Sequence, residues 1–364
     1  MKSNTASVIG YRLLPRFYNN IYNTNKQPPK QFTSTGCNLF LKKSLPMNFT
    51  DHYIAADWGT SNLRLSLVAS DTGAILKSTT GPGVSEVTRE EIPSVVATLT
   101  EEWQSFDCDK LLMSGMVGST IGWVDAGYID CPTETIKLSD HLCETIVGNY
   151  HSWIVPGLCC KNPMGAPDVM RGEELQLLGA LRMKPELRNG EYLFCMPGTH
   201  NKWIHTSSAV INNFFTCISG ELYALLTQHS VVAHAIAKQE FDLEAFQLGV
   251  ERGASNRNVD SLNLLFETRS RQLSKSINAE HCHAFLSGLI IGKDIDNATK
   301  LYFKRFNPQS LVFCGEEHLT SLYNIAAKQL GWDPHIIDGH VLSTTGIHQI
   351  YLNLIYGGEN ALLF

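Results

Sequence analysis

The chain has 364 residues and a mass of 40.4 kDa, which suits about two domains of ~150 residues each. Its composition, 43% hydrophobic and 18% charged, is that of a globular protein and excludes collagen, extended disorder and coiled coil. The net charge of −6 argues against a broad basic surface for nucleic acid, and no apolar run approaches the ~20 residues of a membrane helix. We therefore expect neither a nucleic acid nor a membrane as a partner.

Residues 1–46 differ in composition from the rest of the chain and are called the leader below. The leader holds seven Lys and Arg residues and no Asp or Glu, and it lacks the apolar stretch of a secretory signal. Two interpretations stay open: a transit peptide to a mitochondrion or plastid, or an upstream segment with translation beginning at Met47. In both cases we expect the leader to be disordered and to lie outside the fold.

The ten cysteines include no C-x-x-C pair. A chain of this length does not need disulfides to hold its core together. We expect reduced thiols, which favours the cytoplasm for the folded part of the chain.

The first half of the folded chain is predicted to begin with a β-hairpin. Tyr53–Asp57 and Leu63–Val68 are short strand-like runs, and a polar, Gly-containing turn of five residues joins them. The next predicted elements are strand Ala74–Lys77 before the breaker Gly81-Pro82-Gly83, a helix over 89–104, and strands Leu111–Met113 and Trp153–Val155.

A breaker cluster, Asn162–Pro167, separates this half from a second series of helices and strands. The second series is predicted to begin with a helix over Val169–Leu181 and a hairpin of Tyr192–Met196 and Lys202–His205 around a second polar turn. Its remaining elements are predicted as strand Val210–Cys217, helices Glu221–Gln228, Leu243–Arg252, Leu262–Leu273 and Ala279–Thr299, strand Leu311–Phe313, a helix from Gly315 to about Leu330, strand His335–Ile337 and helix Thr344–Ile355.

Each half thus contains a strand, a Gly-Thr turn and a return strand. This repetition predicts a duplicated α/β architecture with a cleft between two domains. We place the domains at residues 47–165 and 166–345. Residues 346–364 are expected to form a C-terminal helix that packs back on the first domain.

The first polar turn follows Asp57 and carries groups that suit a polyphosphate. Gly59 allows a close backbone approach, and successive N–H groups together with the hydroxyls of Thr60 and Ser61 can hold phosphate oxygens. Asp57, at a strand end, could bind Mg²⁺ through water. Taken alone, a plain β-turn with a capping Asp explains the same residues.

The second polar turn, Pro197–Asn201, has the same form and is followed by the positive charge of Lys202. Two such turns, one in each half, can hold a polyphosphate from opposite sides of a cleft. The pair is far more specific than either turn alone.

A third candidate site lies at the predicted helix start Arg171-Gly172-Glu173-Glu174, next to the domain boundary. A carboxylate there could accept the proton of an attacking hydroxyl, and Arg171 could pair with a substrate carboxylate. Taken alone, the two Glu residues are better explained as partners of the helix dipole. Beside two phosphate turns, the catalytic interpretation is at least as good.

Three weaker features complete the inventory. Gly315 lies between a predicted strand and a helix, where an adenine can rest against the backbone. Trp58, Trp123 and Trp203 flank the proposed turns and could wall a sugar. The segment Gly288–Lys293 resembles a P-loop, but three residues rather than four separate its glycines and no strand precedes it.

Together these segments resemble a known superfamily. Tyr53–Arg64 is similar to the first phosphate loop of the sugar kinase/actin/Hsp70 superfamily. More narrowly, the chain resembles the 2-dehydro-3-deoxygalactonokinase family. The further segments that carry this resemblance, in the family's order, are Ser114–Ser119 with Gly122-Trp123, Ile154–Leu158, Val169–Glu174, Met196–His200 with Lys202-Trp203, Ser219–Leu222 and Phe285–Gly292.

The resemblance implies a two-domain, actin-like (ribonuclease H-like) fold. It also implies an ATP- and Mg²⁺-dependent kinase acting on the 6-hydroxyl of a six-carbon 2-keto-3-deoxy sugar acid. By the superfamily pattern Asp57 serves the metal, Gly315 lies at the adenosine, and the phosphates are held by Gly59, Thr60, Ser61, Gly198 and Thr199. From its charge we add Lys202 to the phosphate contacts. Glu173 is implied as the catalytic base, with Glu174 and Asp57 as alternatives. On the substrate side we expect Arg171, with Arg64 as its competitor for the carboxylate, and Asn62, Trp123 and His200.

Two departures from the family pattern stand out. Glu316 and Glu317 follow Gly315, where smaller or neutral residues are expected, and the leader has no counterpart in bacterial relatives. Two other classes of function stay open: a phosphatase acting on a polyphosphate or nucleotide, and a non-catalytic sugar-acid sensor. The expected partners are a small-molecule sugar acid and a second copy of the chain in a homodimer.

Overall fold

The computed structural model describes residues 51–233, 238–255 and 261–357. These residues all belong to one compact unit. The leader lies outside the described residues, so its two interpretations stay predictions. Among the described helices, none is both long and apolar enough to span a membrane.

The strands and helices of the described residues are numbered in chain order. The strands are β1 His52–Trp58, β2 Asn62–Ala69, β3 Ile75–Pro82, β4 Lys110–Gly115, β5 Tyr128–Asp130, β6 Thr133–Glu134, β7 Cys143–Val147, β8 Tyr150–Ile154, β9 Gly157–Lys161, β10 Pro167–Met170, β11 Glu191–Met196, β12 Asn201–Ser207, β13 Val210–Cys217, β14 Ser310–Gly315 and β15 His335–Asp338. The α-helices are α1 Ile92–Leu99, α2 Glu173–Met183, α3 Ser219–His229, α4 Leu243–Ser255, α5 Ser261–Leu273, α6 Cys282–Phe303, α7 Glu317–Gln329 and α8 Leu342–Tyr356.

The first sheet has the strand order β3-β2-β1-β4-β8-β7. Strands β1, β2 and β3 form an antiparallel meander, and β4 and β8 extend the sheet parallel to β1. All six residues of β4 are buried, which is the pattern of a central strand covered on both faces.

The second sheet repeats this arrangement, with the order β13-β12-β11-β14-β15 and β6 added beside β13. Strands β11, β12 and β13 are again antiparallel, and β14 and β15 again run parallel to β11. Five strands therefore have the same order and the same directions in both sheets. The expected α/β class and its duplicated, actin-like architecture are confirmed.

The largest core cluster joins the two sheets. It contains residues of β1 and β4, residues of β11 and β14, and residues of α2 and α8. Helices α2 and α8 lie in close contact. An added Cβ at Gly179 or at Gly346 would lie 2.1 Å from a backbone oxygen of the other helix. The P-loop-like glycines of α6 have the same role against α4: an added Cβ at Gly288 would lie 1.9 Å from the carbonyl oxygen of Phe246.

Several predicted boundaries were wrong. Strand β3 runs to Pro82 rather than ending at Lys77, since its pairing with β2 continues to Pro82, opposite Asn62. The helix predicted over 89–104 is an α-helix only over Ile92–Leu99, with a 3₁₀ turn on each side.

The segment Val169–Met170 was predicted as the start of a helix but belongs to strand β10, and α2 begins at Glu173. Strands β5, β6, β7, β9 and β10 were not predicted. Most of them are short and lack a regular alternation of apolar residues. Of the breaker, Asn162–Ala166 form the connection between antiparallel strands β9 and β10, and Pro167 begins β10.

The last helix packs against the first strand. The rings of Tyr53 in β1 and Tyr351 in α8 stack with centroids 4.0 Å apart, and the Tyr53 hydroxyl lies 3.2 Å from Nδ1 of His348. His348 is buried. Burial lowers its pKa to about 4, with a smaller contribution from the charge of Arg182.

This buried histidine predicts an acid-sensitive contribution to stability. A histidine whose pKa is about 4 when folded and ~6.5 when unfolded contributes stability that is present above pH 6.5 and is lost as the pH falls toward 4. Between pH 7 and pH 5 we expect the wild-type protein to lose about 2 kcal/mol of unfolding free energy relative to His348→Asn.

Urea unfolding of both proteins at pH 5, 6 and 7 measures this difference. The Asn variant keeps an acceptor for the Tyr53 hydroxyl and cannot titrate. A stability difference that is constant across this range would contradict the assignment.

Candidate active site

Three chain segments meet at Gly115, at the end of β4. Gly115 has φ +86°, and an added Cβ would lie 2.7 Å from the carbonyl oxygen of Trp58. Gly172, before α2, has φ +107°, and an added Cβ there would lie 3.7 Å from the Cα of Gly115. Both φ values suit glycine. The approach brings the ends of β1 and β4 to the start of α2, and thus brings Asp57 into the neighbourhood of Glu173.

Both of these carboxylates are partly buried, and both have a raised pKa. Burial is the main cause for Glu173; the charge of Asp57 adds to the rise, while Lys202 and the backbone N–H of Arg171 oppose it. Burial is also the main cause for Asp57, opposed by a hydrogen bond with Ser343 and by the charge of Arg64. The two predicted catalytic residues therefore share one electrostatic environment.

Glu174 has a different environment from Glu173. It is fully buried, and its two carboxylate oxygens lie 2.9 and 2.7 Å from the backbone nitrogen of Gly172, which donates to them. Burial and the adjacent charge of Glu173 raise the pKa of Glu174 to about 8. At neutral pH this carboxyl group is mostly protonated, which makes it a poor proton acceptor.

Lys202 is buried and bonded within the protein. Its Nζ donates to the carbonyl oxygen of Val169 at 3.1 Å and to Oγ1 of Thr216 at 2.8 Å. Thr216 in turn donates through its hydroxyl to Asp168 at 2.6 Å. The ammonium group was predicted to contact phosphates; here its charge lies near Glu173 and opposes the rise of that residue's pKa.

Arg171 lies in a cradle formed by the segment 125–128. Its Nη2 donates to the carbonyl oxygen of Gly127 at 3.0 Å and is 3.9 Å from Oδ1 of Asp125. The guanidinium carbon lies 4.4 Å from the ring centroid of Tyr128. The side chain is only 4% exposed, and within the described residues Nε and Nη1 are buried without a hydrogen-bond partner.

The first turn is held by the backbone that follows β3. The N–H of Gly59 donates to Asn62, and the carbonyl oxygens of Gly59 and Thr60 accept from Val84 and Ser85. The side chains that were predicted to meet ligands are exposed, namely Thr60, Ser61, Asn62 and Arg64. Arg64 stands opposite Asp57 in the β1–β2 register.

The second turn is open on one side and supported on the other. Apart from its chain neighbours, no heavy atom of the described residues lies within 4 Å of an added Cβ at Gly198. Behind the turn, Thr199 accepts a hydrogen bond from the N–H of Glu221 in α3, whose carboxylate lies 2.7 Å from Nε2 of His200. The backbone of Gly315 reaches this turn, with an added Cβ 3.5 Å from the carbonyl oxygen of Pro197.

One of the two unexpected acids after Gly315 has a local explanation. The side chain of Glu316 accepts hydrogen bonds from the backbone N–H groups of His318 and Leu319 at the start of α7. It therefore caps that helix.

A buried aspartate that sequence reasoning missed supports the second turn. Asp294 of α6 is 4% exposed and accepts four hydrogen bonds, from Trp203 and Ser219 at 2.8 Å each and from Asn201 and Tyr323 at 2.6 Å each. These donors belong to β12, α3 and α7. In the sequence Asp294 stands in the polar stretch Lys293–Asn297 of α6, which does not distinguish it from an exposed residue.

Two of the three tryptophans proposed to wall a sugar do not do so. Trp58 and Trp203 are fully buried, and their indole N–H groups donate to Pro82 and Asp294. Trp123 is partly buried and donates to Thr145. The error arose because a tryptophan beside a turn in the sequence can equally point into the core.

Comparison with known proteins gives three consistent similarities. Residues 57–350 match the family model described as 2-keto-3-deoxy-galactonokinase. The 2-dehydro-3-deoxygalactonokinase of Escherichia coli (strain K12) is 34% identical over 301 residues, which are 83% of this chain and 98% of that protein. A crystal structure from Sinorhizobium meliloti, described as a candidate 2-dehydro-3-deoxygalactonokinase, has a TM-score of 0.75 at 29% identity and covers 84% of this chain and 99% of that one. The resemblance seen in the sequence is confirmed.

The Asp294 cluster predicts a strong effect on stability. Asp294→Asn replaces one carboxylate oxygen by an amide NH₂ group, which cannot accept hydrogen bonds. Some of the four donors are then buried without an acceptor, which should lower the free energy of unfolding by about 3 kcal/mol or more. Asp296, two residues along the same helix, forms an i,i+4 ion pair with Lys300, so Asp296→Asn should cost no more than ~0.5 kcal/mol. Urea unfolding of the two variants tests this contrast. Equal losses would show that Asp294 is not the support described.

Proposed function

The chain belongs to the 2-keto-3-deoxy-galactonokinase family, and we propose that it transfers the γ-phosphoryl group of ATP to the 6-hydroxyl of 2-dehydro-3-deoxy-D-galactonate. The products are 2-dehydro-3-deoxy-6-phospho-D-galactonate and ADP. The observation that carries the proposal is the grouping around Gly172 of Glu173, the nearby Asp57, and a guanidinium group with unpartnered N–H groups. A phosphoryl transfer to a sugar acid needs a proton acceptor, a cation site and an anion receptor.

We assign the nucleotide to the two polar turns. The exposed hydroxyls of Thr60 and Ser61 and the open space at Gly198 suit phosphate oxygens from two sides. Gly315, next to the second turn, is the proposed adenosine contact. Lys202 adds a positive charge behind Glu173, near the place of transfer.

The residues at the end of β1 fit a divalent cation. Mg²⁺ prefers hard oxygen ligands and is commonly held by one or two carboxylates, with water and substrate phosphates as its other ligands. Asp57 is a carboxylate that has a like charge nearby, which a bound cation would offset. When bound, Mg²⁺ would supply neutralisation of the phosphate oxygens.

Glu173 is the proposed proton acceptor and Arg171 the proposed partner of the substrate carboxylate. A carboxylate with a raised pKa accepts a proton more readily than an ordinary one, and the charge of Lys202 counters the rise. Phosphoryl transfer depends chiefly on positioning and charge neutralisation. Enclosure of the substrates in a cleft would exclude the water that competes for the phosphoryl group.

The domain division proposed from the sequence is kept as 47–165, 166–345 and a C-terminal helix. In its support, each of the first two ranges contributes the five core strands of one sheet, and α8 packs against β1. We also propose a cytoplasmic location, or an organelle if the leader is a transit peptide, and a homodimer. Asn62, Arg64, Trp123 and His200 remain proposed contacts of the sugar acid. The phosphatase and the sensor considered above are not favoured.

A coupled ADP-release assay on residues 47–364 tests the proposed function. We expect ADP release with ATP and Mg²⁺ only when a sugar acid is present, and more release with the galactonate-derived acid than with its gluconate epimer. ADP release without any sugar acid would favour the phosphatase. No release with either acid would contradict the proposal.

The two adjacent glutamates predict opposite results on substitution. Glu173→Gln removes the proposed base and should lower kcat by ~10²–10⁴. Glu174→Gln imitates a carboxyl group that is already mostly protonated at pH 7, since its pKa is about 8, and should leave kcat within about threefold. Steady-state kinetics of both variants at pH 7 make the comparison. A near-wild-type kcat for Glu173→Gln would move the base to another residue.

A further inference from the structure

The small three-stranded sheet, β10-β9-β5, builds the cradle of Arg171. Strands β5 and β10 flank β9, with Tyr128 opposite Gly157 and Met170 opposite Leu158. The last residue of β10 therefore lies two strands away from Tyr128, and Arg171 follows it directly.

Because Gly157 has no side chain, the ring of Tyr128 can lie across β9. An added Cβ at Gly157 would lie 2.7 Å from Cε1 of Tyr128 and 2.6 Å from the carbonyl oxygen of Met170. Since no side chain occupies this space, the ring of Tyr128 packs over the β9 backbone and reaches the guanidinium of Arg171, 4.4 Å from its centroid.

Two consecutive residues thus fix the arginine. The carbonyl oxygen of Gly127 accepts from Nη2, and the Tyr128 ring supports the face of the guanidinium through a cation–π contact. The carboxylate of Asp125 forms only a long ion pair with the arginine, since Oδ1 lies 3.9 Å from Nη2; the same oxygen accepts the N–H of Gly127 at 3.0 Å.

Two donors of the fixed guanidinium lie below the surface without an acceptor. Nε and Nη1 have no hydrogen-bond partner in the described part of the chain, and buried charged donors without a partner are costly. A carboxylate accepts from a guanidinium in the planar, paired geometry that such a fixed group offers. The cradle therefore suits an organic acid.

We propose that Tyr128 is a positioning residue for substrate recognition, which holds Arg171 in the orientation that binds the carboxylate of the sugar acid. This inference rests on the proposed function. It makes the β5–β9–β10 sheet the part of the fold that distinguishes an acid from a neutral sugar. Tyr128 itself contacts the arginine and not the reacting atoms.

Kinetics of Tyr128→Leu and Tyr128→Phe test the proposal. The Leu variant loses the ring face and should raise KM for the sugar acid about tenfold, with KM for ATP and kcat each within about twofold. The Phe variant keeps the ring and should restore KM. A loss of folded protein would instead lower kcat and leave both KM values unchanged.

A double-mutant cycle with Arg171→Ala shows whether the tyrosine acts through the arginine. We expect Arg171→Ala to raise KM for the acid about a hundredfold, and Tyr128→Leu to add nothing in that background. Multiplying effects, or an unchanged KM in Tyr128→Leu while Arg171→Ala is impaired, would overturn the proposal for Tyr128 alone.

The same series separates this failure from a failure of the proposed function. An unchanged KM in Arg171→Ala, in an active enzyme, would overturn the assignment of Arg171 and with it that of Tyr128. A wild-type protein that neither binds the acid in calorimetry nor phosphorylates it would overturn the proposed function itself and this inference together.

Discussion

The close backbone contact at Gly115 is the constraint on which the site depends. Two parallel strands and a helix start can place their functional side chains in one small volume only if their backbones nearly touch. At Gly115 any side chain would clash with the carbonyl oxygen of Trp58, and Gly172 packs against Gly115. The positive φ values of both glycines make the two sharp changes of direction possible. Asp57, Arg171 and Glu173 are neighbours because of these two glycines.

The two halves of the molecule support equivalent turns by different means. The first turn is held by backbone hydrogen bonds from Val84 and Ser85, which no side-chain change can remove directly. The second turn is held by the side chain of Asp294 and by α3. The two halves therefore have strand–turn–strand units of the same shape, but different contacts stabilise the turn in each half.

Sequence reasoning succeeded where structure is determined locally. Both hairpins and most helices of the second half were predicted, because turn chemistry and helical periodicity are written within a few neighbouring residues. The duplicated architecture was predicted from a local pattern too, the strand–turn–strand unit in each half, and the two sheets confirm it. Arg171 was named because its residue type suits an acid; Glu173 was named by the resemblance.

What could not be predicted depends on contacts between distant segments. Strands β5 and β10 are too short to show a pattern, and they exist because β9 pairs with both. Tyr128 can support Arg171 only because Gly157 has no side chain. These three residues are too far apart in the sequence for a local pattern to reveal the contact. Asp294 draws its donors from three elements that are far apart in the chain. The burial of Trp58 and Trp203 likewise follows from the sheet faces and not from nearness to a turn.

The contact between β1 and α8 bears on how the protein is made. Strand β1, the first strand of the described chain, carries Asp57. Tyr53 of the same strand packs against Tyr351 and His348, which lie 295 residues or more further along the chain. Closing so long a loop is entropically costly. During synthesis on the ribosome, the first half cannot acquire this part of its core until the last helix has emerged. The core contacts of β1 are thus completed at the end of translation, and a chain that stops short of α8 lacks part of the core of its own first half.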